Sequence, residues 1–245
     1  MKETLDKLSI GNLQLLQAEN GYRYSLDPII LARFVNVRRG GRVVDLGTGC
    51  GIISLLLARL SDADECIGIE IQPELADRAV RNVELNVLHD RVHIVQDDIR
   101  SIQDILPTGC FDLVVSNPPY HRLDSGRIAP NDERAAARHE LAGGLVDFVA
   151  AASWLLKNGG SFAMIYLVER LPELMTVMIA EGIEPKRLRM VHPRQGEAAK
   201  IVLLEGRKGG HPGLQVENPL YIYRNNAAGR DYTEEVLQMY EVLPG

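Results

Sequence analysis

The chain has 245 residues, of which 46% are hydrophobic, and carries a formal net charge of −6 with a pI near 5.6. That apolar share is ample for a globular core, and the acidic balance excludes an indiscriminate nucleic-acid binder while leaving room for a local basic surface. No apolar run reaches membrane-spanning length, and Met1-Lys2-Glu3-Thr4 opens no secretory signal. Cys50, Cys66 and Cys110 are odd in number and show no CxxC spacing. A cytoplasmic protein with reduced thiols, without membrane or metal partners, is expected.

In chain order, a hairpin of Leu13–Gln17 with Tyr22–Tyr24 comes first, followed by a helix from Asp27-Pro28. Strands then alternate with helical patterns, the mark of a parallel sheet with crossover helices. The strands are Arg42–Leu46, Cys66–Ile71, Val92–Val95, Phe111–Ser116 and Ser161–Tyr166. Between them fall helices over Ile52–Leu60, Pro73–Asn86 and Gly144–Leu156, and a further helix covers Arg170–Glu181. Strands Arg187–Val191 and Lys200–Glu205 close the core as an antiparallel hairpin. Past Gly213 come the alternating run Leu220–Tyr223 and a short helix capped at Asp231. One domain, 1–245, is expected: a core of residues 38–212 with an N-terminal decoration (1–37) and a C-terminal extension (213–245).

Two motifs carry the chemistry. Asp45-Leu46-Gly47-Thr48-Gly49-Cys50-Gly51 turns the first core strand into a helix. Its glycines let backbone approach a ligand and aim helix N–H groups at it. Position 52 is Ile, so the third glycine comes one residue early for a dinucleotide fingerprint. Glu70 ends the second strand, about twenty residues on, where a carboxylate accepts both hydroxyls of a ribose. Asp97-Asp98 ends the third, and Asp98, followed by apolar Ile99, is favoured to accept from an adenine amino group. Acids at these strand ends suit a nucleoside ligand that carries no phosphate.

Asn117-Pro118-Pro119-Tyr120 ends the fourth strand. An Asn oxygen and a carbonyl held by Pro-Pro can accept both hydrogens of a planar NH2 group while a Tyr ring stacks on the attached plane. Those acceptors favour rehybridisation of a delocalised nitrogen and stabilise the charge that develops on it. No metal is needed.

From Lys186 to Lys208 the charge balance reverses, and Arg187, Arg189, Arg194 and Lys200 are candidates for phosphate contact. None of the six histidines has metal-ligand spacing.

Together these motifs resemble the class I S-adenosylmethionine-dependent methyltransferases, small-domain Asn-Pro-Pro-Tyr type. The resemblance implies an α/β fold: a doubly wound, Rossmann-like seven-strand sheet, mostly parallel, with an antiparallel C-terminal hairpin. Gly21–Pro28, Ala137-Arg138-His139-Glu140, His192-Pro193-Arg194 and Lys200–Gly206 extend the likeness over nearly the whole chain. They bring it nearest to the tRNA(Val) adenine-N6 methyltransferase family, which modifies the adenine beside the anticodon.

By that likeness S-adenosyl-L-methionine is the cofactor and tRNA the partner. Asp45 orients the methionine ammonium, directly or through water. Tyr24 to Asp27 close over the methionine end. Gly47, Thr48, Gly49, Gly51, Glu70, Ile71, Asp97, Asp98, Ile99 and Asn117 face the cofactor, and Asn117 to Tyr120 hold a target adenine that must be flipped out or lie in a loop. The competing readings are a release-factor glutamine methyltransferase, a ribosomal RNA amine methyltransferase and a non-catalytic RNA-binding relic of the fold. Oligomeric state is not legible.

Overall fold

The computed structural model describes residues 2–19, 25–118, 143–225, 229 and 231–241. An N-terminal hairpin pairs β1 (Glu3–Leu8) with β2 (Leu13–Ala18), and α1 (Asp27–Phe34) follows. The core runs β3 (Arg42–Leu46), α2 (Ile52–Leu60), β4 (Glu65–Glu70), α3 (Pro73–Leu85), β5 (Val92–Gln96), α4 (Ile102–Ile105) and β6 (Phe111–Ser116). It continues through α5 (Leu145–Leu155), β7 (Leu156–Leu167), α6 (Leu171–Ala180), β8 (Ile183–His192) and β9 (Ile201–Lys208). Two short strands, β10 (Gln215–Val216) and β11 (Leu220–Tyr221), and α7 (Glu234–Met239) complete the described chain.

The large sheet has the order β10-β8-β9-β7-β6-β3-β4-β5, with β11 also paired to β8. Strands β3 to β7 run parallel, and β9 is antiparallel to both β7 and β8, as expected for the hairpin. The seven expected strands are all present. The sheet reaches nine through two strands of two residues each: β11, which lies in the alternating run Leu220–Tyr223, and β10, which is too brief for an alternation signal.

Period-two alternation divides the strands between two cores. Leu113 and Val115 of β6 enter a core shared with α1, α2, α3 and the hairpin. Val114 enters the opposite core, with α5 and α6, and Phe111 joins it because the register shifts between Phe111 and Leu113. Helix α2 is buried from Ile52 to Ala58 because sheet, hairpin and α1 surround it, so its Ile and Leu residues need no polar face.

Several boundaries differ from expectation. Strand β7 starts at Leu156 and runs through Gly159-Gly160; the register against β6 shifts between Phe111 and Leu113, so the glycines sit in an irregular strand and not in a turn. Strand β2 has Glu3–Leu8 as partner, from Glu3 opposite Ala18 to Leu8 opposite Leu13. The partner expected from sequence, Tyr22–Tyr24, lies outside the described residues. Helix α7 is capped by Thr233, whose hydroxyl accepts from Val236 N at 3.4 Å, and not by Asp231. Asp231 lies too far ahead of the first helical residue, Glu234, to reach its free N–H groups.

Helix α3 ends in a six-to-one turn: Leu88 N donates to Val83 O at 3.1 Å and Val87 N to Glu84 O at 3.0 Å. This geometry needs a left-handed residue, normally glycine, yet Val87 holds φ 54° there while 75% exposed. A β-branched side chain is strained at that φ and buries little in return. Val87→Gly is therefore expected to stabilise the protein by about 0.5–1 kcal/mol, a rise in denaturation midpoint at constant m-value.

Candidate active site

Parallel pairing sets Leu46 opposite both Ile69 and Ser116, and Glu70 opposite Gln96. The residues that follow four neighbouring strands therefore leave the sheet along one edge: Asp97 after β5, Ile71 after β4, Gly47 after β3 and Asn117 after β6. Ser116 ties two of these ends together, its hydroxyl donating to Leu46 O at 2.9 Å in a fully buried position. Ligand crevices in open α/β sheets form at this carboxyl edge.

The glycine turn is held down by β4. Gly47 N and Thr48 N both donate to Ile69 O, at 2.9 and 3.0 Å. Gly47 has φ 72°, and a Cβ there would press on the Phe148 ring at 3.3 Å. Gly49 has φ 60°, and a Cβ there would meet nothing within 4 Å, so its backbone faces open space. Gly51, also left-handed, is the N-cap of α2.

Two carboxylates are buried beneath the turn, Asp45 at 1% exposure and Glu70 at 5%. Glu70 Oε2 accepts from Gly49 N at 2.9 Å and Oε1 from Gln72 N at 2.9 Å. Asp45 Oδ2 accepts from the hydroxyls of Thr48, at 2.6 Å, and Ser54, at 3.1 Å. Its Oδ1 is buried without a partner. Burial pushes the Asp45 carboxyl up to about 6, against the Thr48 and Ser54 hydrogen bonds and with a smaller upward push from Glu70. Burial likewise raises Glu70, against donors from Gln72 and Gly49.

Such a site favours a cation with hydroxyl donors over a phosphate. S-adenosylmethionine carries both: a free ammonium suits the unpartnered Asp45 oxygen, and a ribose diol suits Glu70, whose oxygens keep lone pairs beyond their backbone bonds. The residues present fit that cofactor.

Other expected residues fall into place differently. Asn117 is half-buried and Pro118 buried at the end of β6, whereas Pro119, Tyr120, Tyr24 and Ala137–Glu140 lie outside the described residues. Asp98 caps a short turn and is gripped by Arg100, whose backbone N and Nε donate to Oδ1 at 2.9 Å and whose Nη2 donates to Oδ2 at 2.5 Å. The guanidinium lowers the Asp98 carboxyl. Asp97 is exposed and accepts from Asp98 N at 2.7 Å, and Ile99 is buried. Asp27 opens α1, where burial raises its carboxyl against a bond from Ser25.

The four basic candidates do not form one solvent-facing patch. Arg187 lies over the Phe34 ring at 4.1 Å and pairs with Glu217 at 2.9 Å and Glu205 at 3.4 Å. Arg189 donates to Asn218 O at 3.0 Å and pairs with Glu235. Arg194 pairs with Glu197 at 3.3 Å and lies over Tyr223 at 5.3 Å. Lys200 is exposed. Linear charge density hid the acids, because Glu217 and Glu235 come from the extension folded back onto β8.

Sequence reasoning missed three residues. Ser54 is a lone hydroxyl inside Ile52-Ile53-Ser54-Leu55-Leu56-Leu57, which is a legible oddity. Asn82 donates to Cys50 O, within the glycine turn, at 2.9 Å and accepts from Leu16 N at 2.7 Å. Gly68 lies under Thr48, where a Cβ would meet the Thr48 side chain at 2.8 Å. Among the described residues no group of three His, Cys, Asp or Glu could hold a metal, and no helix is long and apolar enough to cross a membrane.

A sheet of this order with a glycine turn, a buried acid and an Asn-Pro end at neighbouring strands defines a class I S-adenosylmethionine-dependent methyltransferase. A family model described as the methyltransferase small domain matches residues 28–176. A relative in Tolumonas auensis, named tRNA1(Val) (adenine(37)-N6)-methyltransferase, is 30% identical over 73% of each chain. One of the same name in Porphyromonas gingivalis is 31% identical over 82% of this chain and 81% of that one. The chain belongs to the methyltransferase small domain family and, among its members, to the family of these relatives. A solved structure described as a predicted O-methyltransferase of Agrobacterium tumefaciens shares the fold, with a TM-score of 0.71 at 23% identity over 87% of this chain and 95% of that one. The protein is an enzyme, and S-adenosyl-L-methionine is its cofactor.

The raised Asp45 carboxyl has a consequence for stability. Its folded pKa of about 6 lies above the ordinary 3.8, so its contribution to stability is full below about 4 and is lost as pH rises through about 6. The amount is roughly 3 kcal/mol. Asp45→Asn should therefore raise the melting temperature of the ligand-free protein at pH 8, with the gain shrinking towards pH 5, while weakening cofactor binding at least about tenfold. A parallel pair of thermal scans and a calorimetric titration would check both.

Proposed function

We propose that this chain methylates N6 of an adenine in tRNA, at the anticodon-adjacent position that the relatives' names give as adenine 37 of tRNA1(Val). The observation that carries the reading is the meeting of Asn117-Pro118 with the glycine turn at adjacent strand ends, fixed by the Leu46–Ser116 pairing. S-adenosylmethionine, when bound, supplies an electrophilic methyl carbon on a sulfonium.

The chain's own residues do the rest. Asp45 takes the methionine ammonium on its free oxygen and Glu70 takes the ribose hydroxyls. Gly47, Thr48, Gly49 and Gly51 lend backbone, Ile71 and Ile99 line the adenine, and Asp97 or Asp98 accepts from its amino group. Asp27 stands at the methionine end. The Asn117 side-chain oxygen and the Pro118 carbonyl accept the two N–H bonds of the target amine, draw it out of conjugation, and stabilise the charge that grows as the N–C bond forms. Pro119 and Tyr120, outside the described residues, keep the roles expected from sequence, with the Tyr120 ring stacking on the base. The product ammonium sheds its extra proton readily, so no strong base is required.

The base must be presented unpaired, as in an anticodon loop. Of the basic candidates, exposed Lys200 and Arg194 beside Tyr223 remain as phosphate contacts; Arg187 and Arg189 serve the fold first. One domain over 1–245, in the cytoplasm, is the organisation that goes with this reading.

Mass spectrometry of nucleosides from tRNA incubated with enzyme and cofactor is expected to show N6-methyladenosine; methyl transfer confined to a release factor or to ribosomal RNA would overturn the assignment. Asn117→Ala should lower transfer by about a hundredfold or more with S-adenosylhomocysteine affinity kept within about threefold. Loss of cofactor affinity instead would contradict the role given to Asn117.

A further inference from the structure

Ser54 lies at the third position of α2, fully buried in a helix otherwise apolar over Ile52–Ala58. A buried hydroxyl needs a partner, and this one donates to Asp45 Oδ2 at 3.1 Å while standing 3.2 Å from the Thr48 hydroxyl. The Ser54 backbone N–H faces the same carboxylate. Both hydroxyls thus bond Oδ2 of Asp45, while Oδ1 is buried and unpartnered.

We propose that Ser54 is a positioning residue for cofactor binding: with Thr48 it anchors Oδ2 of Asp45, fixing the rotamer that holds Oδ1 ready for the methionine ammonium. This rests on the assignment of that ammonium to Asp45. Ser54 itself sits on the far side of the carboxylate, so its effect runs through Asp45.

The environment of the carboxylate gives the proposal a signature. Among the described residues, Glu70 on β4 and the thiols Cys50 and Cys66 act on or respond to Asp45, and burial pushes the two thiols up to about 11 and about 12, which keeps them neutral. The donors that favour the Asp45 carboxylate are the Thr48 and Ser54 hydroxyls and the Ser54 N–H. Removing one of them disfavours the carboxylate, and a protonated Asp45 has no attraction for an ammonium. Cofactor affinity should therefore fall on the acid side, with a midpoint near the about 6 of the wild-type carboxyl, and that midpoint should move up when Ser54 is lost.

The experiment is calorimetric titration of S-adenosylhomocysteine from pH 5 to pH 8.5 with wild type, Ser54→Ala, Thr48→Val and Ile53→Val. Ser54→Ala and Thr48→Val should move the acid midpoint up by about one pH unit, so that the loss of affinity relative to wild type is about tenfold greater below pH 6 than above pH 8. Ile53→Val, a core deletion one residue away, should leave the midpoint in place. A Ser54→Ala curve with the wild-type midpoint, whatever its vertical offset, would overturn the positioning role and leave Ser54 as packing. Absence of binding by wild type at every pH would remove the cofactor assignment itself, an outcome distinguishable because no acid limb would then exist in any of the proteins.

Discussion

Strands β3 and β6 lie side by side and parallel, with Leu46 opposite Ser116 and the Ser116 hydroxyl bonded to Leu46 O. Everything functional in the chain depends on that register. A slip of one residue would send Asp45 to the opposite face, away from α2, and would separate the glycine turn from Asn117 along the edge. Parallel pairing demands a long crossover between the two strands. The intervening β4 and β5 use that crossover to add their own ends, with Glu70 and Asp97, to the same edge.

Burying Asp45 and Glu70 close together is a cost to the ligand-free fold, since both carboxyls are raised above their ordinary values. Hydroxyls and backbone N–H groups reduce that cost without cancelling charge. A cationic ligand then gains attraction that water would have screened. The same arrangement repels phosphate, which distinguishes this glycine turn from one built for a dinucleotide. Placing both hydroxyls on one oxygen of Asp45 concentrates the remaining attraction on the other.

The segments flanking the core act as braces. Asn82 on α3 and Asn86 at its C-cap, four residues apart, bond the backbone of Leu16 and Gln14 on β2 as a neighbouring strand would, and Asn82 reaches Cys50 O as well. The N-terminal hairpin is thereby linked to the glycine turn through one amide. At the other end of the sheet, Arg187 and Arg189 bind the extension to β8 through Glu217, Asn218 and Glu235. These are long side chains with fixed partners, and their charge is largely spent inside the fold.

The sequence by itself determined the alternation of strands and helices, the bounds of β3, α2 and β6, the antiparallel closing hairpin, and the identity of the motif at each strand end. These are legible because they are local: period two or 3.6 in apolar residues, Pro at a helix start, Gly where φ must be positive. It did not disclose β1, whose ETLDKL pattern shows little apolar alternation, nor the cap at Thr233, nor that β7 would run through its two glycines. Only the tertiary structure decided that Ser54 serves Asp45, that Asn82 holds the glycine turn, and that Arg187 and Arg189 are neutralised by acids distant in sequence. Such pairings are set by which surfaces meet on folding. A carboxylate's proton affinity and an arginine's availability depend on neighbours that no local pattern encodes.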